Sequence, residues 1–448
     1  MVLLKPEWHL STTQVSTVSS ATLIAAFVGA MLFGRIADRI GRKRIYWMVS
    51  AIEVVGALAS CVAPNLAWLV ASRFLLGLGV GGDYPLSAVM MSEYANARDR
   101  NRLVGLVFSM QALGLTVGPV VGLTLVASGI SHDIAWRIML GLGALPAATV
   151  VYLRIRMPES PRFAEAVKGE GGIAAMQVRA FSDGAVQVDG EAEQLTFEGI
   201  GTEASDRRLR ARNLFTNRRL LATLIGTAGT WFIFDYAYYG NTISTPLIMR
   251  DIAPHAALVT TLAWTLIIFS VFAVPGYILA LSKMDRIGHR KLQAIGFSAM
   301  AVAFLAIGAF PSVVRTTLPF LLLYGVSYFF AEFGPNTTTF VLPAELFPIS
   351  VRTTGHGISA GVAKLGAFIG VFVFPIISKS FGLRDTLLFT GAMSVAGLAL
   401  TYLLSEPAGR TLDEIAGAHN QAGREATVSQ ASSAQLDATT ATEADPAL

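Results

Sequence analysis

A chain of 448 residues that is 53% hydrophobic and only 14% charged, with mean hydropathy +0.56, is too apolar for a soluble globule and reads as a polytopic membrane protein. Its net charge of +4 is scattered over short segments, which excludes a nucleic-acid footprint, and the single cysteine, Cys61, excludes an internal disulfide framework. No zinc-ligand spacing, nucleotide loop or hydrolase elbow occurs and the six histidines are dispersed, so no metal, no cofactor and no enzymatic activity is expected.

Residues 1 to 14 are polar and carry no apolar core of a signal peptide. Apolar runs long enough to cross roughly 30 Å of hydrocarbon at ~1.5 Å per residue then fall near 15–34, 45–63, 67–90, 102–127, 136–154, 219–242, 257–281, 292–311, 316–345, 353–378 and 384–404. These runs predict about eleven spans. They divide an all-α membrane protein into an N-terminal half, 1–154, a polar cytoplasmic linker, 155–218, a C-terminal half, 219–408, and a disordered cytoplasmic tail, 409–448. The basic residues set the orientation. Arg35, Arg39, Arg42, Lys43 and Arg44 follow the first run, Arg98, Arg100 and Arg102 the third, and Lys283, Arg286, Arg290 and Lys291 the seventh, so these segments are expected inside.

The third run contains RFLLGLGVGGDYPLSAVMMSEYAN, Arg73 to Asn96. Its glycines, Gly77, Gly79, Gly81 and Gly82, allow close helix approach. Arg73 and Asp83 each cost several kcal/mol in hydrocarbon unless they face a partner or a water-filled cavity, which makes them functional candidates, with a buried packing pair as the plainer reading. In WFIFDYAYYGN, Trp231, Asp235 and Tyr239 recur at i, i+4 and i+8 and share one helix face. Counting ~1.5 Å per residue from the nearest basic boundary or turn puts Asp235, Asn336, Lys364 and Gln111 about 14–24 Å deep. They are expected to converge near the middle of the bilayer. Aromatic stripes often only pack, and a single Gln111 or Asn336 can simply bridge helices. Asp235 and Lys364 cannot snorkel from mid-span, and so carry the site reading. Glu53 and Glu332 are further buried acids, second to these.

The halves are related by an internal repeat. GRIADRIGRKR, Gly34 to Arg44, recurs as SKMDRIGHRK, Ser282 to Lys291; MSEYANARDRNR around Glu93 is echoed by PAELFPISVRTTG around Glu345. Each half closes on a proline-acid turn, PESPR at Pro158 to Arg162 and SEPAGRTLDE at Ser405 to Glu414. Parallel six-helix repeats with a site at their interface describe one large transporter class.

The repeated D-R-x-G-[RH]-[RK] motif, Asp38 to Lys43 and Asp285 to Arg290, resembles the major facilitator superfamily, and GGDYPLSAVMMSEYAN resembles, more narrowly, the signature of the phosphate:proton symporters of plants and fungi. The resemblance covers nearly the whole chain. It implies a fold of two pseudo-symmetric six-helix halves. The first visible run corresponds to the family's second helix, so the first helix is expected to be missing, with its membrane carboxylate, through a start site placed too far downstream. By resemblance, Tyr84, Gln111, Trp231, Asp235, Tyr239, Asn336 and Lys364 line a phosphate site. Asp83 and Asp235 handle protons with Arg73 as modulator, and the Asp38, Arg42, Asp285 and Arg286 segments latch the cytoplasmic ends.

The expected function is uptake of inorganic phosphate with protons, by alternating access, across the plasma membrane, with the lipid bilayer as surroundings and no nucleic-acid partner. An ionised Asp235 repels an incoming phosphate that Lys364 attracts, so proton and phosphate should each favour the other's binding. A proton-coupled porter of sugar or another organic anion, and a phosphate sensor that does not transport, stand as alternatives.

Overall fold

The computed structural model describes residues 4–94, 100–157, 211–253, 255–256 and 258–410. Most of the expected linker, including Pro158 to Arg162 and Arg207, Arg208 and Arg210, lies outside the described residues, as do Arg98 and the tail from 411. Among the described residues, eleven helical segments are long and apolar enough to cross a membrane. In chain order these are α1 (Thr12–Ile40), α2 (Arg42–Cys61), α3 (Leu66–Tyr94), α4 (Arg100–Ala127), α5 (His132–Arg156), α6 (Arg218–Ile252), α7 (Val259–Ile287), α8 (His289–Ala309), α9 (Thr317–Leu346), α10 (Arg352–Phe381) and α11 (Leu383–Thr401).

Local chemistry sets the helix ends and breaks. Ser11 accepts from Gln14 N at 3.2 Å while Gln14 Oε1 accepts from Ser11 N at 2.8 Å, a reciprocal cap that starts α1. Asn217 caps α6 through Arg219 N at 3.0 Å. α6 runs on to Ile252, well beyond the expected 242. α5 is interrupted at Gly143, and α7 and α9 each contain a π-helical turn, at Ile268–Ala273 and Glu332–Asn336. Pro275 follows the first turn and Pro335 lies within the second. Proline has no N–H to give to the α-helical ladder, and a widened turn absorbs the gap.

α1 packs on α3, α2 on α3 and α5, and these helices form one bundle with α4. α6 packs on α10 and α11, α8 on α9 and α11, and α7 completes the second bundle. The two meet along α1 with α10 and along α4 with α7 and α9. The glycine-rich face of α3 makes this closeness possible. A Cβ on Gly77 or Gly81 would strike the α1 backbone at Thr22 or Ala26, and one on Gly79 would meet Val49 of α2 at 2.7 Å. The outward faces of α4 and α5 remain apolar, with Leu113 59%, Leu145 60% and Leu153 60% exposed, as lipid contact requires.

Residues read from the sequence as a loop after the first run lie almost entirely in helix, because α1 and α2 meet at a single residue. Gly41 has φ 116°, and its repeat partner Gly288 has φ 93°, a region closed to side chains, so both copies of the motif need glycine to turn one helix directly into the next. Gly34 of α1 and Gly357 of α10 then let the bundles touch backbone to backbone. A Cβ on Gly34 would meet Thr353 O at 2.8 Å, and one on Gly357 would meet Ala30 O at 2.5 Å.

These contacts hold together the end of the bundle that carries Asp38. Asp38 Oδ2 accepts from both the N–H and the hydroxyl of Thr354, each at 2.6 Å. Arg42 pairs with Asp38 at 3.3 Å and Glu93 at 3.2 Å while donating to Thr353 Oγ1 at 3.2 Å and Ile349 O at 3.0 Å. Arg352 reaches Glu93 at 3.4 Å. The second copy of the motif is used differently. Asp285 and Arg286 are exposed, while His289, at the position matching Arg42, is buried between Glu345 at 3.9 Å and Glu406 at 3.4 Å. Asp38 and Arg42 therefore join the two halves, whereas the His289 cluster stays within the C-terminal half.

Glu406, beyond the last span, caps α8 from a distance by accepting the N–H groups of His289 at 2.8 Å and Arg290 at 3.0 Å. Burial alone would push its carboxyl up, but the hydrogen bonds and charge of His289 outweigh that and hold it at about 2, below the ordinary 4.5. A lowered folded value means that the stabilisation is full above pH 4.5 and disappears as the pH falls through about 2. Glu406→Gln is expected to lower the melting temperature of the detergent-solubilised protein at neutral pH, with the gap to wild type closing below pH 4.5. A gap of constant size across that range would show that the charge of Glu406 contributes nothing.

Candidate substrate site

α6, α10, α3, α4 and α9 bring the expected residues to the interface of the two bundles. Lys364 of α10 is 2% exposed and donates to Asp235 Oδ2 of α6 at 2.8 Å. Its Nζ also donates to Tyr239 Oη at 3.3 Å and lies 4.3 Å from the ring centre of Tyr84 and 4.6 Å from that of Tyr239. A single ammonium thus touches an acid and the faces of two tyrosines, one of them from the opposite half. The two tyrosine hydroxyls stand 3.3 Å apart and bridge α3 to α6.

Aromatic rings surround this pair. Trp231 lies one turn before Asp235, fully buried, with ring centres 6.0 Å from Tyr84, 6.2 Å from Phe340 and 5.5 Å from His356. Among the described residues its indole N–H makes no hydrogen bond of good geometry, although it faces Asp235. A buried donor left unsatisfied costs about 1–3 kcal/mol, and a polar ligand at this spot would recover that energy. Phe108 stacks on Phe340 at 4.5 Å and continues the wall between α4 and α9. His356 Nε2 donates to Phe340 O at 3.0 Å, which fixes its ring against Trp231 and leaves Nδ1 without a partner.

Gln111 and Asn336 form an adjoining polar group through a residue that the sequence did not single out. Tyr277 of α7 donates to Gln111 Oε1 at 2.8 Å and accepts from Asn336 Nδ2 at 2.8 Å. Asn336 also reaches Gln111 at 3.4 Å and donates to Glu332. Tyr277 was illegible because one tyrosine in a long apolar run looks like packing.

Asp83 lies one residue before Tyr84 but turns into the N-terminal half. Its ion-pair partner is Arg154 of α5, which also bonds Ser50, donates to Tyr46 O at 3.3 Å and lies 3.8 Å over the Tyr46 ring. Ser87 completes the ring, donating to Asp83 Oδ2 at 3.0 Å. Arg73 lies ten residues away on the same helix, about 15 Å along its axis, and does not reach Asp83. Arg154 therefore stands where the sequence reading set Arg73. At the end of a predicted span it looked like a boundary charge, yet α5 continues past it and points it inward.

The chain matches the family model described as sugar (and other) transporter over residues 4–418. It is 34% identical to inorganic phosphate transporter 1-6 of Oryza sativa subsp. japonica, covering 90% of this chain and 83% of that protein. The chain belongs to this transporter family. Its similarity to inorganic phosphate transporter 1-1 of Arabidopsis thaliana is 32% identity over 90% of this chain and 85% of that protein. Among solved structures, the major facilitator superfamily proton:xylose symporter XylE bound to 6-bromo-6-deoxy-D-glucose matches with TM-score 0.75 at 20% identity, covering 91% of this chain and 90% of that one. The human organic anion transporter MFSD10 matches with TM-score 0.59 at 16% identity, covering 86% and 83%. The transporter is thus a multi-pass membrane protein with the major facilitator fold, as its repeated motif led us to expect.

Proposed function

We propose that this chain takes up inorganic phosphate together with protons by alternating access, in the plasma membrane, with the Asp38 end facing the cytoplasm. The observation that carries the reading is the Lys364–Asp235 pair, buried at the junction of the halves beside the indole of Trp231. Lys364 offers three donors and a fixed positive charge to phosphate oxygens, and Trp231, Tyr84, Tyr239, Gln111 and Asn336 add neutral partners. Inorganic phosphate transporters among its relatives support the substrate. No protein cofactor is invoked; protons are the coupling ion.

Coupling follows from competition. While ionised, Asp235 holds Lys364 and repels phosphate; once protonated it releases the ammonium to the substrate. Proton and phosphate then bind together and leave together. A monoanion entering against a negative interior loses ~2.3 kcal/mol per 100 mV, and one proton cancels that charge. The closed Asp38–Thr354 and Arg42–Glu93–Arg352 contacts are the cytoplasmic gate, and the Tyr84–Tyr239 bridge is where the halves part around the site. Asp83 and Glu53, with Arg154 as counter-ion, are assigned to passing this same proton through the N-terminal half.

Purified protein in vesicles tests this. Labelled phosphate is expected to accumulate when the outside is made acid, to be displaced by arsenate and to ignore excess sugar. Displacement by sugar would move the assignment to a carbohydrate porter, and phosphate binding without accumulation would move it to a sensor.

A further inference from the structure

Glu332 is fully buried in the π turn of α9, and among the described residues no Lys, Arg or His lies within ion-pairing distance of it. One carboxyl oxygen accepts from Asn336, and among the described residues the other, Oε1, makes no hydrogen bond of good geometry, although the Tyr238 and Tyr277 hydroxyls face the carboxyl. An ionised carboxylate in this position would be uncompensated, at a cost of several kcal/mol. Apart from Asn336, the groups facing it are hydroxyls: Tyr238 from α6 and Tyr277 from α7, with Tyr328 beyond, while α8 brings the backbone of Leu292 and Gly296 against Gly334 of the π turn.

One hydrogen-bonded route leads away from this carboxyl. Toward the substrate site run Asn336, the Tyr277 hydroxyl and Gln111, linked at 2.8 Å and 2.8 Å, which carry a change at Glu332 across to the opposite half. On the other side lies a small cavity lined by Ala237, Tyr238, Asn241, Met300, Phe304, Ser327, Tyr328 and Ala331, whose accessible wall is apolar. Near it, among the described residues, Asn241 Oδ1 has no hydrogen-bond partner. Beyond it, Tyr328 meets Thr242 at 2.9 Å and Tyr324 meets Thr245 at 3.1 Å, climbing α6 toward the end opposite the Asp38 gate.

We propose that Glu332 is a second proton-carrying carboxyl, linked to the substrate through Asn336, Tyr277 and Gln111. The proposal rests on the phosphate:proton reading and adds to it one proton per phosphate beyond the one Asp235 supplies. The step is proton transfer alone: Glu332 gives up H⁺ when the gate end opens and regains it from the opposite face. With a monoanion and two protons the loaded carrier moves a net positive charge inward, so the membrane potential itself drives uptake.

The test measures proton-to-phosphate stoichiometry from reversal potentials in vesicles, alongside equilibrium binding of labelled inorganic phosphate. Glu332→Gln, nearly isosteric but unable to release a proton, is expected to bind and accumulate phosphate with the ratio lowered by one proton and the voltage dependence of uptake lost. Glu332→Asp, which keeps a titratable group, is expected to retain the wild-type ratio. An unchanged ratio in Glu332→Gln makes the carboxyl a packing group and overturns the proposal. Equal loss of phosphate binding in the Gln and Asp variants also overturns it, because shape rather than titration would then matter. Wild-type vesicles that fail to accumulate phosphate under an acid-outside gradient sink the phosphate reading and this proposal together, whereas the first two outcomes sink only the role of Glu332.

Discussion

Lys364→Ala is expected to abolish phosphate binding. The lysine is the only cation among the described residues within hydrogen-bonding distance of Asp235, Tyr239 or Tyr84, so the variant offers an anion nothing but neutral donors. Truncating one partner of a buried hydrogen-bonded charge pair across a binding contact, here the ammonium on a phosphate oxygen, costs about 2–5 kcal/mol of binding. At about 1.4 kcal/mol per tenfold, phosphate affinity should fall by roughly thirtyfold to a few thousandfold. The fold should survive, because α10 packs on α6 and α1 through backbone approaches at Gly357, Gly366 and Gly370 that the substitution leaves untouched. Asp235, without its cation, can be neutralised by a proton. Titration of labelled phosphate onto purified, monodisperse variant protein checks this. Affinity within the wild-type range would demote Lys364 to a helix-packing residue. Lys364→Arg is the informative companion: it keeps the charge but replaces a compact ammonium with a planar fork, and should bind phosphate more weakly than wild type and better than the alanine variant.

Much of this site was legible before any coordinates. The eleven runs, the repeated D-R-x-G turn and the convergence of Asp235 with Lys364 follow from helix rise and the cost of charge in lipid, both of which act on sequence position alone. Trp231, Asp235 and Tyr239 shared a face because 3.6 residues per turn leave them no choice. What stayed hidden depended on rotation of one helix against another. Arg154 and Arg156 are two apart near the end of α5; one turns in to hold Asp83 while the other lies over Tyr152 at 4.3 Å, and no spacing rule says which. Tyr277 joins Gln111 to Asn336 from a helix whose register is shifted by its own π turn at Ile268–Ala273. The two motif copies read alike, yet the first crosses to the other half through Thr353 and Thr354 and the second closes on Glu406 of its own half. A repeat in sequence promises equal folds, not equal partners, because each copy meets whatever the other half presents.

Asp235→Asn is expected to separate binding from energy coupling. The amide keeps the shape of the carboxyl and can still accept from Lys364, but it neither competes for the ammonium as an anion nor takes up a proton. Phosphate should then bind at least as tightly as in wild type, and its affinity should lose most of its pH dependence. Uptake should behave as facilitated exchange: labelled phosphate entering vesicles preloaded with unlabelled phosphate at a near-normal rate, with no accumulation under an acid-outside gradient. The difference from Glu332 lies in what each acid touches. Asp235 contacts Lys364 and so decides whether the site can be occupied at all, whereas Glu332 reaches the site only through Asn336 and Tyr277. Removing the first lets phosphate slip through unaccompanied even if the second still exchanges its proton; removing the second changes how many protons travel but not whether one must. Full gradient-driven accumulation by Asp235→Asn would take Asp235 out of the mechanism and leave the buried pair as a structural tie between α6 and α10.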